Sequence, residues 1–232
     1  MTNYQRLNCM LHLVGSFSVA ISLAAVPAFA GKITGFTTFG AEDGTGPGLG
    51  SVQVSGIVHL NDNNDNQSGG GPNDNNITVP VKRFDHNGYI DIEFHVDNTG
   101  GVSEYQVVEF VDNNVLPASS WTQFEIYLGF GVGANFVISP ANDDLDFDAP
   151  TFDSLPSSLA FSQVSTGEDK LVFYNGAHGT GAKQYTFRID VPDLSQGTFT
   201  LRQVPVVPEP STFALTALAG FAGLIGWRRR AA

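Results

Sequence analysis

Four stretches of this chain place hydrophobic residues at every second position, and this spacing limits the possible folds more than any other feature. In the clearest stretch, Ile90–Val96, Ile and Phe alternate with Asp, Glu and His. The same alternation occurs in Val52–Leu60, Phe124–Phe130 and Tyr185–Val191. A period of two separates the two faces of a β-strand, whereas an amphipathic helix requires a period near ~3.6. Each stretch is therefore predicted to be a strand with one face on a core and the other in water.

Weaker strand candidates fill the sequence between these stretches. They are residues 32–39, 77–83, 104–111, 134–138, 159–164, 170–174 and 198–204. Turn-forming pairs such as Asn87-Gly88 and Asn175-Gly176 punctuate the candidates. About ten short strands at this spacing predict an all-β fold, an antiparallel two-sheet sandwich of jelly-roll type. Pro80 cannot donate a ladder hydrogen bond, so its run is expected to be an edge strand or no strand.

The first 30 residues have the composition of a secretory signal peptide. Arg6 supplies a positive start, Leu11–Val26 is apolar, and Ala28 and Ala30 form an A-x-A cleavage site. Cys9 is the only cysteine and lies inside this segment. The mature chain is therefore expected to have no disulfide, no thiolate metal site and no cysteine nucleophile.

The charge of the remaining domain excludes some classes of partner. Residues 31–206 contain seven basic and 22 acidic residues, a net charge of −15. Such a surface repels nucleic acid and anionic lipid headgroups, and it attracts cations. We therefore expect no nucleic-acid partner.

The first acidic segment, Asp62–Asn76, is too polar and rich in glycine to pack into a core. It is typical of a solvated loop, or of a loop that binds calcium through carboxylate and amide oxygens. Gln67 stands where a calcium loop of the helix-loop-helix type needs glycine, and Asn73 stands where such a loop needs glutamate. That particular motif is absent.

The second acidic segment, residues 142–148, is the better candidate for a metal site. In an extended backbone Asp144, Asp146 and Asp148 would share one face, with Leu145 and Phe147 on the other. Clustered carboxylates repel one another unless water solvates them or a cation bridges them. The pattern suits calcium, and it equally suits a solvated edge that prevents aggregation. No other cofactor is predicted.

No catalytic constellation is visible in the sequence, which predicts a protein that is not an enzyme. The H-E-x-x-H and G-x-S-x-G patterns are both missing. Asp91, Glu93 and His95 share one strand face and could form an acid–base or metal patch. The same arrangement is typical of the wet side of a sheet.

The C-terminal tail combines three features in a fixed order. These are Pro208, Glu209 and Pro210, then an apolar run that ends at Trp227, then Arg228, Arg229 and Arg230. At ~1.5 Å per residue, Ser211–Trp227 would form roughly 25 Å of helix, barely enough to span a bilayer. The arginines would remain on the cytoplasmic side.

This layout resembles the PEP-CTERM sorting signal of Gram-negative bacteria. The resemblance implies processing near Pro208–Pro210 by an exosortase-type membrane protease, after brief anchoring in the inner membrane. The chain is thus divided into a signal peptide (1–30), a β-sandwich domain (31–204) and a sorting signal (205–232) that includes a transmembrane helix. The processed protein is expected on the outer surface or outside the cell.

The sequence as a whole favours a non-enzymatic surface or extracellular-matrix protein associated with exopolysaccharide or biofilm. One alternative is a carbohydrate-binding β-sandwich, stabilised by calcium, with exposed aromatic side chains at Tyr89, Tyr105 and Tyr127. A secreted hydrolase is the other alternative, and it lacks a recognisable set of catalytic residues.

Overall fold

The computed structural model describes residues 31–62, 74–116, 119–148 and 155–208. Within these ranges the chain forms thirteen β-strands and one turn of 3-10 helix, Gly133–Asn135. The strands are β1 (Gly31–Phe36), β2 (Leu49–Gln53), β3 (Gly56–Val58), β4 (Asn75–Phe84), β5 (Ile90–Asn98), β6 (Val102–Asn113), β7 (Gln123–Phe130), β8 (Val137–Ile138), β9 (Ser157–Ser158), β10 (Phe161–Thr166), β11 (Lys170–Gly176), β12 (Gly181–Pro192) and β13 (Thr198–Val206). The all-β prediction is confirmed.

The strands form two sheets. The seven-stranded sheet has the order β1-β5-β13-β7-β11-β10, with β8 added beside β7. The six-stranded sheet has the order β2-β4-β6-β12-β9, with β3 added beside β4. The last strand, β13, is therefore internal to its sheet and pairs with β5 on one side and β7 on the other.

The core lies between the sheets and is built largely from aromatic rings. Phe84 of the six-stranded sheet meets Phe124 of the seven-stranded sheet edge to face, with ring centroids 6.0 Å apart. Trp121 is fully buried and stacks on Phe124 at 5.6 Å. Tyr185 of the six-stranded sheet also contacts Phe124, with ring centroids 4.9 Å apart. Because side chains from both sheets share one core, the predicted two-sheet arrangement is confirmed. The jelly-roll connectivity stays a prediction.

One strand pair departs from the predicted antiparallel arrangement. β4 and β6 run parallel, whereas every other pair of strands in the described ranges is antiparallel. The chain leaves β4 for β5 in the opposite sheet and then returns to β6. The chain thus crosses twice between the sheets, and β6 returns beside β4 and runs parallel to it. The expectation of purely antiparallel sheets is therefore wrong at this pair.

Pro80 lies inside a true internal strand, so the expectation of an edge strand or no strand is wrong. The pairing of β4 with β6 shifts by one residue between Val79 and Lys82, which is a β-bulge around Pro80. Pro80 is exposed there, and no ladder hydrogen bond is required of it. The extra residue also reverses the alternation, so that Lys82 and Phe84 point into the core instead of Val81.

Several predicted strands have different bounds in the structure, and two of them differ in kind. The run Val52–Leu60 breaks into β2 and β3, and Val58 and Leu60 are exposed rather than in the core. In residues 134–138 only β8 is a strand, because the 3-10 turn occupies the preceding residues. The predicted signal peptide and C-terminal helix lie outside the described residues.

Candidate functional site

β13 carries the chain out of the sandwich toward the C-terminal tail. The amide of Thr122 donates a hydrogen bond of 2.9 Å to the carbonyl of Val206, the last residue of the strand. Val207 still packs against the core, and Pro208 is exposed. The chain is thus free of the sheet within two residues of its last ladder hydrogen bond.

The three aspartates of the predicted metal site are brought to two different places. Asp144 and Asp148 have left-handed backbones, with φ of 63° and 47°, so this segment is not the extended strand considered from the sequence. Leu145 and Phe147 are fully buried and anchor it. Asp148 points inward and is only 6% exposed, whereas Asp144 and Asp146 line a surface cavity.

The buried carboxylates of Glu104, Asp148 and Asp190 form a cluster, here called the carboxylate trio. One oxygen from each lies within 4.8 Å of the others. Glu104 of β6 and Asp190 of β12 are direct cross-strand partners. Arg188 of β12 forms an ion pair with Glu104, and both side chains are 1% exposed. The trio consists of carboxylates, the ligand type that calcium prefers. Arg188 already places one positive charge beside it.

The same segment lines an open acidic cavity of about 190 Å³. Its lining residues are Asn142, Asp143, Asp144, Leu145, Asp146, Glu168 and Asp169. Burial, followed by the negative charges of Asp143, Glu168 and Asp146, raises the pKa of Asp169 to about 6. Asp169 therefore favours either a proton of its own or a cation beside it near pH 6. Of the first acidic segment, residues 63–73 lie outside the described residues.

The tyrosines proposed for carbohydrate binding are already engaged by protein groups. Tyr105 is fully buried, and its hydroxyl accepts a hydrogen bond from the amide of Ile33 at 2.8 Å, so the expectation of exposure is wrong. The guanidinium of Arg202 lies 3.9 Å from the centre of the Tyr89 ring. Lys170 lies over the ring of Tyr127 at 4.7 Å. These cations cover ring faces on which a sugar would stack.

Asp91, Glu93 and His95, which could form an acid–base or metal patch on β5, make two separate sets of structural contacts. Arg202 binds the buried carboxylate of Asp91 with two hydrogen bonds of 2.7 and 2.8 Å. The hydroxyl of Thr37 donates to Glu93 at 2.7 Å and contacts the Nε2 atom of His95 at 2.8 Å. Asp91 is thereby held as the partner of an arginine, and only Glu93 and His95 share a contact.

A buried polar cluster was missed by the sequence reasoning. Lys82 and Glu109 are fully buried and form an ion pair with a distance of 2.5 Å, and Gln203 also binds Glu109. Alternation alone assigns such residues to the wet face of a strand. Pro80 was the available signal, because a proline inside a strand indicates a bulge that changes which side chains point inward.

The tail has a match among known protein families. A family model, the PEP-CTERM protein-sorting motif, matches residues 206–230. The chain carries a PEP-CTERM motif. No curated protein and no solved structure matches the chain significantly.

The PEP-CTERM motif implies export, anchoring in the membrane through the C-terminus, and processing by an exosortase in Gram-negative bacteria. The match begins at Val206, the last residue of β13, so the sorting signal follows directly on the folded domain. Of the Pro-Glu-Pro step, only Pro208 lies in the described residues. The other predicted sorting and cleavage residues lie outside them: Glu209, Pro210, Arg228, Arg229, Arg230, Ala28 and Ala30.

The apolar run of the PEP-CTERM segment also lies outside the described ranges. The assignment of this segment therefore rests on its sequence alone. Across the residues that are described, no helix has the length and apolar character needed to cross a membrane.

Proposed function

We propose that this chain is a non-enzymatic cell-surface or extracellular-matrix protein, associated with exopolysaccharide or biofilm. The observation that carries the proposal is the junction at Val206, where the last strand ends and the sorting motif begins. The β-sandwich is the part that sorting would deliver to the surface. An exosortase would cut near Pro208–Pro210 and release the sandwich from its temporary membrane anchor.

The environment of the ionisable residues supports a structural role over a catalytic one. Asp91 is neutralised by Arg202, and Glu104 is paired with Arg188. His178 is fully buried, and burial lowers the pKa of its imidazole. A catalytic acid or base must instead reach a substrate with a proton to exchange.

We expect the processed domain to be recovered with the matrix polysaccharide of a producing strain. Fractionation of a wild-type biofilm should place the shortened protein in the extracellular fraction, and an exosortase-deficient strain should retain the longer form in membranes. Enzymatic digestion of the polysaccharide should release the protein into the soluble phase. A protein that stays soluble before digestion, and that does not bind purified polysaccharide, would exclude the matrix association.

Calcium is proposed as a stabilising ion for this domain. The carboxylate trio and the acidic cavity together supply oxygen ligands from eight acidic residues around one segment. A hard divalent cation is bound through such ligands and relieves the repulsion between them.

Millimolar calcium is therefore expected to raise the melting temperature of the protein. A tenfold excess of calcium over its Kd raises the free energy of unfolding by about 1.4 kcal/mol. For a domain of this size, that raises the melting temperature by about 3–6 °C. Differential scanning calorimetry, with magnesium in parallel, measures the effect. The double variant Asp144→Asn, Asp146→Asn should lose a calcium-specific shift. Its matched control, Asp97→Asn with Asp112→Asn, removes two carboxylates outside both clusters and should keep it.

The response to pH gives a second check on the cavity. The raised pKa of Asp169 means that folding favours its protonated form, so its contribution to stability is present below its ordinary value of 3.8 and is lost as pH rises through about 6. Stabilisation by calcium should depend on pH in the opposite way. The rise in melting temperature that calcium causes should be largest above pH 6 and smaller at pH 5. Equal stabilisation by both metals at both pH values would contradict a formed site.

A further inference from the structure

A lysine, a glutamate and a glutamine meet in the core between the two sheets. Lys82 Nζ donates a hydrogen bond to Glu109 Oε2 at 2.5 Å, and Gln203 Nε2 donates to Glu109 Oε1 at 2.5 Å. All three residues are fully buried. Lys82 and Glu109 come from β4 and β6 of one sheet, whereas Gln203 comes from β13 of the other. The cluster therefore bridges the sandwich, and a single carboxylate holds an amine and a primary amide side by side.

The backbone directs these three side chains to one point. Glu109 and Gln203 occupy core-facing positions in the regular alternation of β6 and β13. Lys82 reaches the core only because the bulge at Pro80 reverses the alternation of β4. Bulges that re-aim a side chain in this way are common beside active sites.

The surroundings of the cluster are apolar and exclude water. The cross-strand partner of Lys82 on β6 is Val111, and the partners of Gln203 are Ile90 and Ile126. Each of these residues is fully buried. An ion pair that lies this deep loses its hydration, which disfavours the charged form of the lysine.

The chemical states of the lysine and the glutamine suit a reaction between them. Burial lowers the pKa of Lys82, although the charge of Glu109 opposes that effect, and a lowered pKa favours the nucleophilic amine. Gln203 Oε1 is buried and has no hydrogen-bond partner among the described residues. The carboxamide is thus held through its nitrogen by Glu109 Oε1, while Oε2 of the same carboxylate holds the lysine amine.

We propose that Lys82 and Gln203 become joined by an intramolecular isopeptide bond, with Glu109 as the catalytic acid and base. Glu109 takes a proton from the lysine ammonium, and the Nζ lone pair attacks the Cδ atom of Gln203. Glu109 gives that proton to Nε2, the bond between Cδ and Nε2 breaks and ammonia leaves, and the second proton that Nζ loses remains on Glu109. One amine and one primary amide become one secondary amide and one ammonia. No oxidant, reductant or other reactant is required.

The product would replace a buried ion pair by a neutral amide. A desolvated lysine and glutamate are costly to hold in a core, and the secondary amide carries no charge. The bond would also link β4 to β13 covalently, which joins the two sheets through the strand that leads to the sorting motif. Direct condensation of Lys82 with Glu109 is a different reaction, because it releases water and leaves both linked residues in the same sheet.

Peptide mapping of the purified full chain by mass spectrometry tests the proposal. After trypsin, the peptide that contains Lys82 and the peptide that follows Arg202 should appear as one linked species, lighter than their sum by one ammonia. The linkage must be located by fragmentation of the linked species, because a free peptide that begins at Gln203 can also lose ammonia by cyclisation of its N-terminal glutamine. This measurement on the wild-type protein is enough to decide whether the bond between Lys82 and Gln203 is present. Separate, unmodified peptides would overturn the proposal, and so would a linked species that has lost water.

Three variants test the assigned roles. Lys82→Met removes the nucleophile and Glu109→Gln removes the acid–base group while it keeps the shape, so both should abolish the linked species. Lys170→Met is the matched control, because Lys170 also pairs with a glutamate, at 3.0 Å, but its side chain is 40% exposed. It should leave the linkage between Lys82 and Gln203 at the wild-type level. A Glu109→Gln protein with the wild-type amount of linkage would refute the role of Glu109.

Discussion

Replacement of Pro208, Glu209 and Pro210 by alanine is expected to leave the protein full-length and bound to the membrane in a strain that carries the exosortase. The two prolines keep the backbone extended and remove two amide donors, which suits a segment that a protease must bind. Alanine instead has the highest helix propensity of all residues and would let the predicted C-terminal helix extend toward the domain. Immunoblots of membrane and extracellular fractions should show a change from nearly complete processing to almost none.

The control for this experiment changes the next two residues. Ser211→Ala with Thr212→Ala alters the same region of the chain and keeps the Pro-Glu-Pro step. This variant should be processed and exported like the wild type. If the triple-alanine protein is also shortened and exported normally, then the Pro-Glu-Pro step is not part of the processing signal.

Arg188→Leu is expected to cause a large loss of stability in the domain. The change removes the guanidinium that pairs with Glu104 and leaves the carboxylate trio buried without it. Removal of one partner of a buried ion pair typically costs about 3–5 kcal/mol. That is a large part of the total of about 5–15 kcal/mol that stabilises a typical domain. Urea unfolding followed by tryptophan fluorescence can measure it, because Trp121 is fully buried in the native state.

Arg83→Leu is the matched control, because it breaks an arginine–aspartate pair that is 43% and 34% exposed. An exposed pair contributes about 0–1 kcal/mol, so this variant should unfold near the wild-type midpoint. Similar losses for the two variants would show that Arg188 does not compensate the trio. Recovery of the Arg188→Leu protein in calcium would instead show that a divalent cation can replace the guanidinium.

The strands with strict alternation could be predicted because the period of two directly reports which side chains are buried. Ile90–Val96 and Tyr185–Val191 became parts of β5 and β12, with their apolar residues in the core. The C-terminal motif could also be predicted, since it is a linear signal that does not depend on the fold. The parallel pairing of β4 with β6 depends on two crossings between sheets, and nothing in either strand specifies it.

The functional candidates were harder to predict because they break the local rules. Asp144 and Asp148 adopt left-handed backbones, which aspartate tolerates better than most residues, and this separates side chains that an extended strand would align. Lys82 and Gln203 occupy core positions where the pattern expects apolar side chains. Local sequence reasoning is expected to fail at sites of this kind, where function or strain overrides pattern.

The internal position of β13 determines how the domain bears load while its tail is anchored. Any pull between the domain and its anchored tail would enter the fold at Val206 and act along β13. That strand is hydrogen-bonded to β5 over Thr198–Gln203 and to β7 over Thr200–Val206. A pull along its axis loads both ladders in shear, so many bonds resist together, whereas an edge strand pulled sideways would peel away one bond at a time. The sandwich is thus tethered through a strand that is paired on both sides, rather than through an edge strand.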